Sequence, residues 1–102
     1  MFRLAMVQMR VEGGNLEANL ARASERVREA KAQGSDVVLL PECMDLGWTH
    51  PSALTLAEPI PNGATFETLR ALAQECGVYL CSGLVERAES GNYNSAVLLS
   101  PK

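Results

Sequence analysis

Histidine, tryptophan and lysine are nearly missing from this chain, and no stretch of it stays apolar for long. Among 102 residues stand one histidine (His50), one tryptophan (Trp48) and two lysines (Lys31 and Lys102). No segment approaches the roughly 20 apolar residues that a membrane span needs, and Lys and Arg nowhere cluster. With nine basic against twelve acidic side chains, a net charge of -3 and a pI near 5.1, nucleic acid and anionic membrane surfaces are excluded as partners. Cysteine is scarce and unpatterned: Cys43, Cys76 and Cys81 make an odd set with no disulfide framework, which favours reduced thiols. Cys76 and Cys81 have no second pair to join them and His50 is the lone histidine, so no metal site is expected.

What is present is ordinary for one small globular domain: 47% hydrophobic and 21% charged residues. The apolar stretch within residues 1–9 is short, carries only Arg3 ahead of it, and gives way at Gly13-Gly14 to a helical pattern. It therefore reads as a first strand over residues 2–9 and not as a signal peptide, and a cytoplasmic location is the expectation. Asn15 is placed to cap a helix from Leu16 to about Gln33, with Glu17 at the positive end of its dipole and Gly34 as its stop. Leu16, Leu20, Ala23, Val27 and Ala30 share one stripe of that helix.

The run Asp36-Val37-Val38-Leu39-Leu40 predicts a strand buried on both faces, closed by Pro41 and Glu42. Strand, helix and strand with short links imply a right-handed parallel crossover, which puts both carboxyl ends on one side of the sheet. Gln8 and Glu42 are then expected near each other at the rim where open α/β sheets hold ligands. Residues 43–64, punctuated by Gly47, Pro51, Pro59, Pro61 and Gly63, predict an irregular pocket wall. A second helix is expected from about Phe66 to Cys76, ended by Gly77. A strand over Val78–Val85, a polar turn over Glu86–Tyr93 and a strand over Asn94–Leu99 follow, the last two strands forming an antiparallel hairpin. The order is β-α-β-α-β-β.

Five features in this order carry a resemblance: Ala5-Met6-Val7-Gln8; Asn15 with Asn19; Asp36 through Pro41-Glu42 with Gly47 beyond; Cys76-Gly77-Val78-Tyr79-Leu80 with Ser82-Gly83-Leu84; and Tyr93-Asn94-Ser95-Ala96-Val97-Leu98-Leu99. Together the whole chain resembles the N-terminal portion of the nitrilase superfamily of carbon-nitrogen hydrolases. The resemblance implies an α/β fold, one lobe of a four-layer α-β-β-α sandwich. It also implies hydrolysis of non-peptide C–N bonds in small amide, N-carbamoyl or nitrile substrates through a Glu, Lys, Cys triad. It implies no cofactor, and a homo-oligomeric state. By motif match Glu42 is the general base.

The lysine and cysteine of that triad have no match within residues 1–102, so these residues are expected to be a partial hydrolase domain, inactive alone. Lys102 follows Pro101 at a strand exit and Lys31 ends the first helix. Cys43, beside Glu42, reads as a lining thiol pointing away from its neighbour; Cys76 and Cys81 read as core. On position alone Glu42 is equally a carboxylate that caps a turn or pairs with an arginine. Trp48 and His50 are candidate substrate contacts, or else a loop anchor and a solvated histidine. Gln8, Tyr93 and Asn94 read as strand-end hydrogen bonders. Two helices can cover one sheet face, so the other is expected to stay bare. A non-catalytic α/β module binding a ligand or partner at the same rim is the competing reading. A flavodoxin-like nucleotide binder fits poorly, because Gly13-Gly14 lacks the spacing of a phosphate-cradling loop.

Overall fold

The computed structural model describes all of residues 1–102. The elements are β1 (Leu4–Met6), α1 (Leu16–Ala32), β2 (Val37–Leu39), α2 (Ala53–Leu56), α3 (Ala64–Cys76), β3 (Tyr79–Ala88) and β4 (Gly91–Leu99). They build one four-stranded sheet in the order β1-β2-β3-β4, parallel across the first three strands and antiparallel between β3 and β4. The expected β-α-β-α-β-β order holds, with one short helix, α2, inside the segment expected to be irregular. No helix is long and apolar enough to cross a membrane.

The register sorts side chains into rows. Ala5, Val38, Leu80 and Leu99 stand side by side across the four strands, and this row packs against Ala23, Val27 and Ala30 of α1 and Leu69, Leu72 and Ala73 of α3. One position along, Met6, Leu39, Cys81 and Leu98 form the next row, which faces the opposite way. Nothing covers it. Met6 and Leu98 are 73% and 70% exposed, and Leu4, Leu39 and Tyr79 are exposed beside them. The two long helices, α1 and α3, lie on one face, and the other is bare and apolar, so β2 is not buried on both faces as expected: Val38 is buried and Leu39 is exposed.

The helix ends follow their sequence signals. Asn15 caps α1, its Oδ1 accepting the Ala18 N–H at 3.2 Å, and Gly77 ends α3 in the left-handed conformation with φ 65°. α3 begins earlier than expected, at Ala64, because its first turn borrows a distant cap. The Glu58 carboxylate accepts both the Thr65 N–H at 2.9 Å and the Thr65 hydroxyl at 2.8 Å. The expected polar turn over Glu86–Tyr93 shrinks to two residues, with Ala88 paired to Gly91. Its flanks are solvent-exposed ribbon, so pairing there is held by backbone hydrogen bonds and leaves no hydrophobic alternation to read. The two N-terminal strands are shorter than expected, three residues each.

A fully buried asparagine ties α1 to the loops at the sheet's carboxyl end. Asn19 Nδ2 donates to the Glu12 carbonyl at 2.8 Å and to the Asp45 carbonyl at 2.7 Å, while its Oδ1 accepts the Glu12 N–H at 2.8 Å. Replacing it leaves backbone groups of Glu12 and Asp45 short of a partner, at a cost of about 1–3 kcal/mol each. Asn19→Leu should therefore lower stability by about 3 kcal/mol in urea unfolding, and a loss below about 1 kcal/mol would refute the bridge.

Candidate active site

Past β2 the chain keeps running beside β3, but out of step. Leu40 N–H donates to the Cys81 carbonyl at 2.8 Å, Gly83 N–H donates to the Pro41 carbonyl at 3.1 Å, and Met44 N–H donates to the Gly83 carbonyl at 3.0 Å. A regular parallel ladder would set one residue between the two partners of Gly83. Here there are two, Glu42 and Cys43, so the pair forms a bulge. Cys43 takes the positive φ of 46° that such a turn demands. Strict alternation from Val38 and Leu40 would aim Glu42 at the helices. The bulge turns it to the bare face instead, where it lies exposed in a hollow lined by Leu39, Cys81, Gly83, Asn94 and Ala96.

Only glycine fits opposite this bulge. A Cβ at position 83 would lie 2.5 Å from Glu42 Cα and 2.8 Å from Cys43 N, both backbone atoms with little room to yield. Beyond Gly83 the free edge of β3 is closed by the same loop. The Asp45 carboxylate accepts the Val85 N–H at 3.1 and 3.2 Å, and the Glu58 carbonyl accepts the Arg87 N–H at 3.0 Å. Cys43 and Leu46 join Ala57 and Val85 in a small second core under the loop.

Asn94, on β4 opposite Val85, reaches the bulge with both ends of its amide. Nδ2 donates to Glu42 Oε1, and Oδ1 accepts from Cys43 Sγ at 3.6 Å. Burial pushes the Cys43 thiol above its ordinary range, and the charges of Glu42 and Asp45 push it the same way. This thiol stays protonated and is a poor nucleophile. It does lie buried while Glu42 is exposed, but through the bulge and not through the extended alternation expected of it.

The other candidates separate. Trp48, 70% exposed, walls a second hollow with Cys43, Asn92, Tyr93 and Asn94, and Asn94 also lines the hollow of Glu42. His50 lines neither hollow: its ring lies over Gly13 and Gly14, and its Nδ1 is shared with Ser52. Gln8 lines a groove between β1 and α1 with Arg26 and Glu29, not the rim beside Glu42. The chain stays beside β2 one residue past Met6, where Val7 N–H donates to the Leu39 carbonyl at 2.9 Å. Cys81 is partly exposed on the bare row rather than in the core. Lys31 lies by Gly77, at the far end of α3 from its Glu58 cap. The sequence signals Asp45 only by a single charge set inside Cys43-Met44-Asp45-Leu46, an otherwise apolar run. No three His, Cys, Asp or Glu side chains stand close enough to share a metal ion.

The sequence pattern of the family described as Carbon-nitrogen hydrolase matches residues 3–102. The chain belongs to the carbon-nitrogen hydrolase family. It is 34% identical to a nitrilase of Pyrococcus abyssi over all of its own length and 40% of that protein. It is 38% identical to an omega-amidase of Xenopus tropicalis over 98% of its length and 36% of that relative. Among solved structures it superposes on a carbon-nitrogen hydrolase superfamily protein of Xanthomonas campestris, crystallised with an arsenic adduct in its active site. That match has a TM-score of 0.87 and 25% identity, covering 98% of this chain and 37% of the other. An amidase of Nesterenkonia shares the fold at a TM-score of 0.84 and 21% identity, over 98% and 39% of the two chains. The chain thus spans well under half the length of these family members, with the same mixed α/β architecture.

Two outcomes test this geometry. Gly83→Ala should cost about 1–3 kcal/mol by forcing the bulge off β3, read as a lowered urea midpoint; an unchanged midpoint would show that the close approach is slack. The second concerns Asp45, whose carboxyl is held above the ordinary aspartate range by burial, against the opposing bonds from the Val85, Leu46 and Asp45 N–H groups. The folded state then keeps its proton over a range where the unfolded chain has lost it, so this contribution is complete below the unfolded value and is lost as pH rises through the folded one. Relative to Asp45→Asn, the wild type should lose stability as pH rises above about 4, the ordinary aspartate value. A gap between the two proteins that is constant with pH would contradict it.

Proposed function

We propose that this chain is the lobe of a carbon-nitrogen hydrolase that supplies the general base, Glu42, for cysteine-dependent hydrolysis of a small amide, N-carbamoyl compound or nitrile. One observation carries the reading. The bulge opposite Gly83 lifts Glu42 out of the helix-covered core and presents it, tethered to Asn94, on the face that nothing in these residues covers. A carboxylate with only a structural task would be satisfied on the packed side or paired with an arginine, and Glu42 has no such pair among the ion pairs of the chain.

The remaining triad members, a lysine and a nucleophilic cysteine, belong on this reading to protein outside these 102 residues that packs on the bare face and completes the sandwich. With an amide or N-carbamoyl substrate, Glu42 takes the proton of that cysteine's thiol as sulfur attacks the carbonyl carbon, and the lysine stabilises the resulting oxyanion. As the C–N bond breaks, Glu42 passes the proton to the departing ammonia or amine. It then accepts a proton from water, whose oxygen attacks the thioester and releases the acid and the free thiol. Trp48 walls the neighbouring hollow and is the candidate substrate contact on this side. The ring of His50, turned onto Gly13 and Gly14, supports the loop that carries Trp48.

In the complete hydrolase that carries this lobe, Glu42→Gln removes the base but keeps the Asn94 contact. It should lower kcat about a hundred- to ten-thousand-fold with little change in thermal midpoint. Near-normal turnover by this variant would refute the assignment.

A further inference from the structure

We propose that Asn94 and Cys43 are positioning residues: two hydrogen bonds in series, thiol to amide and amide to carboxylate, hold Glu42 in one orientation for its work as a base. The inference rests on the reading of Glu42 given above and deepens it.

An asparagine amide can be turned either way, and its two ends do opposite things: the oxygen accepts and the nitrogen donates. Beside a carboxylate only the nitrogen end is useful, so something must choose it. Cys43 makes that choice. Its sulfur lies 3.6 Å from Asn94 Oδ1, and it is 4% exposed, in contact with Leu46, Ala57 and Val85. Because the thiol keeps its proton, it offers a donor, which the amide oxygen meets and the amide nitrogen cannot. With the oxygen end engaged, Nδ2 is left facing Glu42 Oε1. Glu42 has no other side-chain hydrogen bond, so Oε2 remains free in the hollow lined by Leu39, Cys81 and Ala96. One oxygen is tethered and one is available. A base fixed in this way loses no time in unproductive rotamers, and misplacement on the order of 1 Å is worth up to about a hundredfold in rate.

The pairing also explains a cysteine placed directly after a catalytic acid without making it a nucleophile. Its backbone is committed to the bulge and its side chain to Asn94, so the thiol points along the hydrogen-bond chain and not at substrate.

The test is steady-state kinetics in the complete hydrolase carrying this lobe, using its best amide substrate and variants whose thermal midpoints are checked. Asn94→Ala should lower kcat about tenfold or more with KM within about twofold of wild type, because the amide acts on the reaction through Glu42. Cys43→Val keeps the apolar packing but removes the donor, and should lower kcat several-fold. Cys43→Ser restores an O–H donor and should recover most of that loss, which simple packing would not predict. Folded Asn94→Ala protein with unchanged kcat, or a Cys43→Ser variant no better than Cys43→Val, would overturn the relay. The two readings fail differently: normal turnover by Glu42→Gln removes the base and the relay with it, whereas an inactive Glu42→Gln beside fully active Asn94→Ala and Cys43→Val removes the relay alone.

Discussion

The close approach of the Glu42-Cys43 backbone to Gly83 is the constraint on which the site depends. Both backbone groups of Gly83 are taken by the loop, its N–H by Pro41 and its carbonyl by Met44. Two residues are squeezed into the ladder space of one, and a missing Cβ makes the room. Everything distinctive about Glu42 follows from this squeeze. Its side chain changes face, Cys43 is driven under the loop, and Asp45 arrives where its carboxylate can finish the β3 edge at Val85.

The bulge is held from two directions. Asn19 grips the Asp45 carbonyl from the helix side, and Asn94 meets the Glu42 and Cys43 side chains from the hairpin side. Between them lies a carboxylate, Asp45, that is buried against its own interest and kept there by backbone N–H donors. Polar groups placed at this density inside a loop are costly to leave unpaired, and no buried side-chain polar atom in the chain lacks a partner. The loop is therefore specified as much by hydrogen bonds as by packing. The sheet itself is asymmetric: one face carries both long helices, and the other exposes Leu4, Met6, Leu39, Tyr79 and Leu98. Glu42 sits on the border of that bare face.

Much of the scaffold was legible because its signals are local. Asn15 and Gly77 mark helix ends by the conformations they permit, and the Leu20, Ala23, Val27, Ala30 stripe declares a helix face. The parallel crossover follows from short links. The β3–β4 ribbon near Glu86 and Tyr93 was less legible, since strands wet on both faces show no alternation. The start of α3 has no local signal, because its cap, Glu58, lies outside the helix and reaches Thr65 across a loop. At the site, Glu42 could be named from Pro41-Glu42 at the end of an apolar run, but Asp45 and the link from Asn94 to Cys43 could not: their partners are 40 and 51 residues away.

The family, the order of elements and the carboxylate that ends the second strand can be read along the chain, because caps, stripes and strand exits are written in neighbouring residues. Which way that carboxylate points is set by contacts between strands. Alternation along Val38, Leu40 and Glu42 directs it inward. The side chain turns outward because Gly83, on a different strand, lacks the Cβ that would have kept the ladder regular. That choice is made by one pair of backbones in contact, and no local pattern records it.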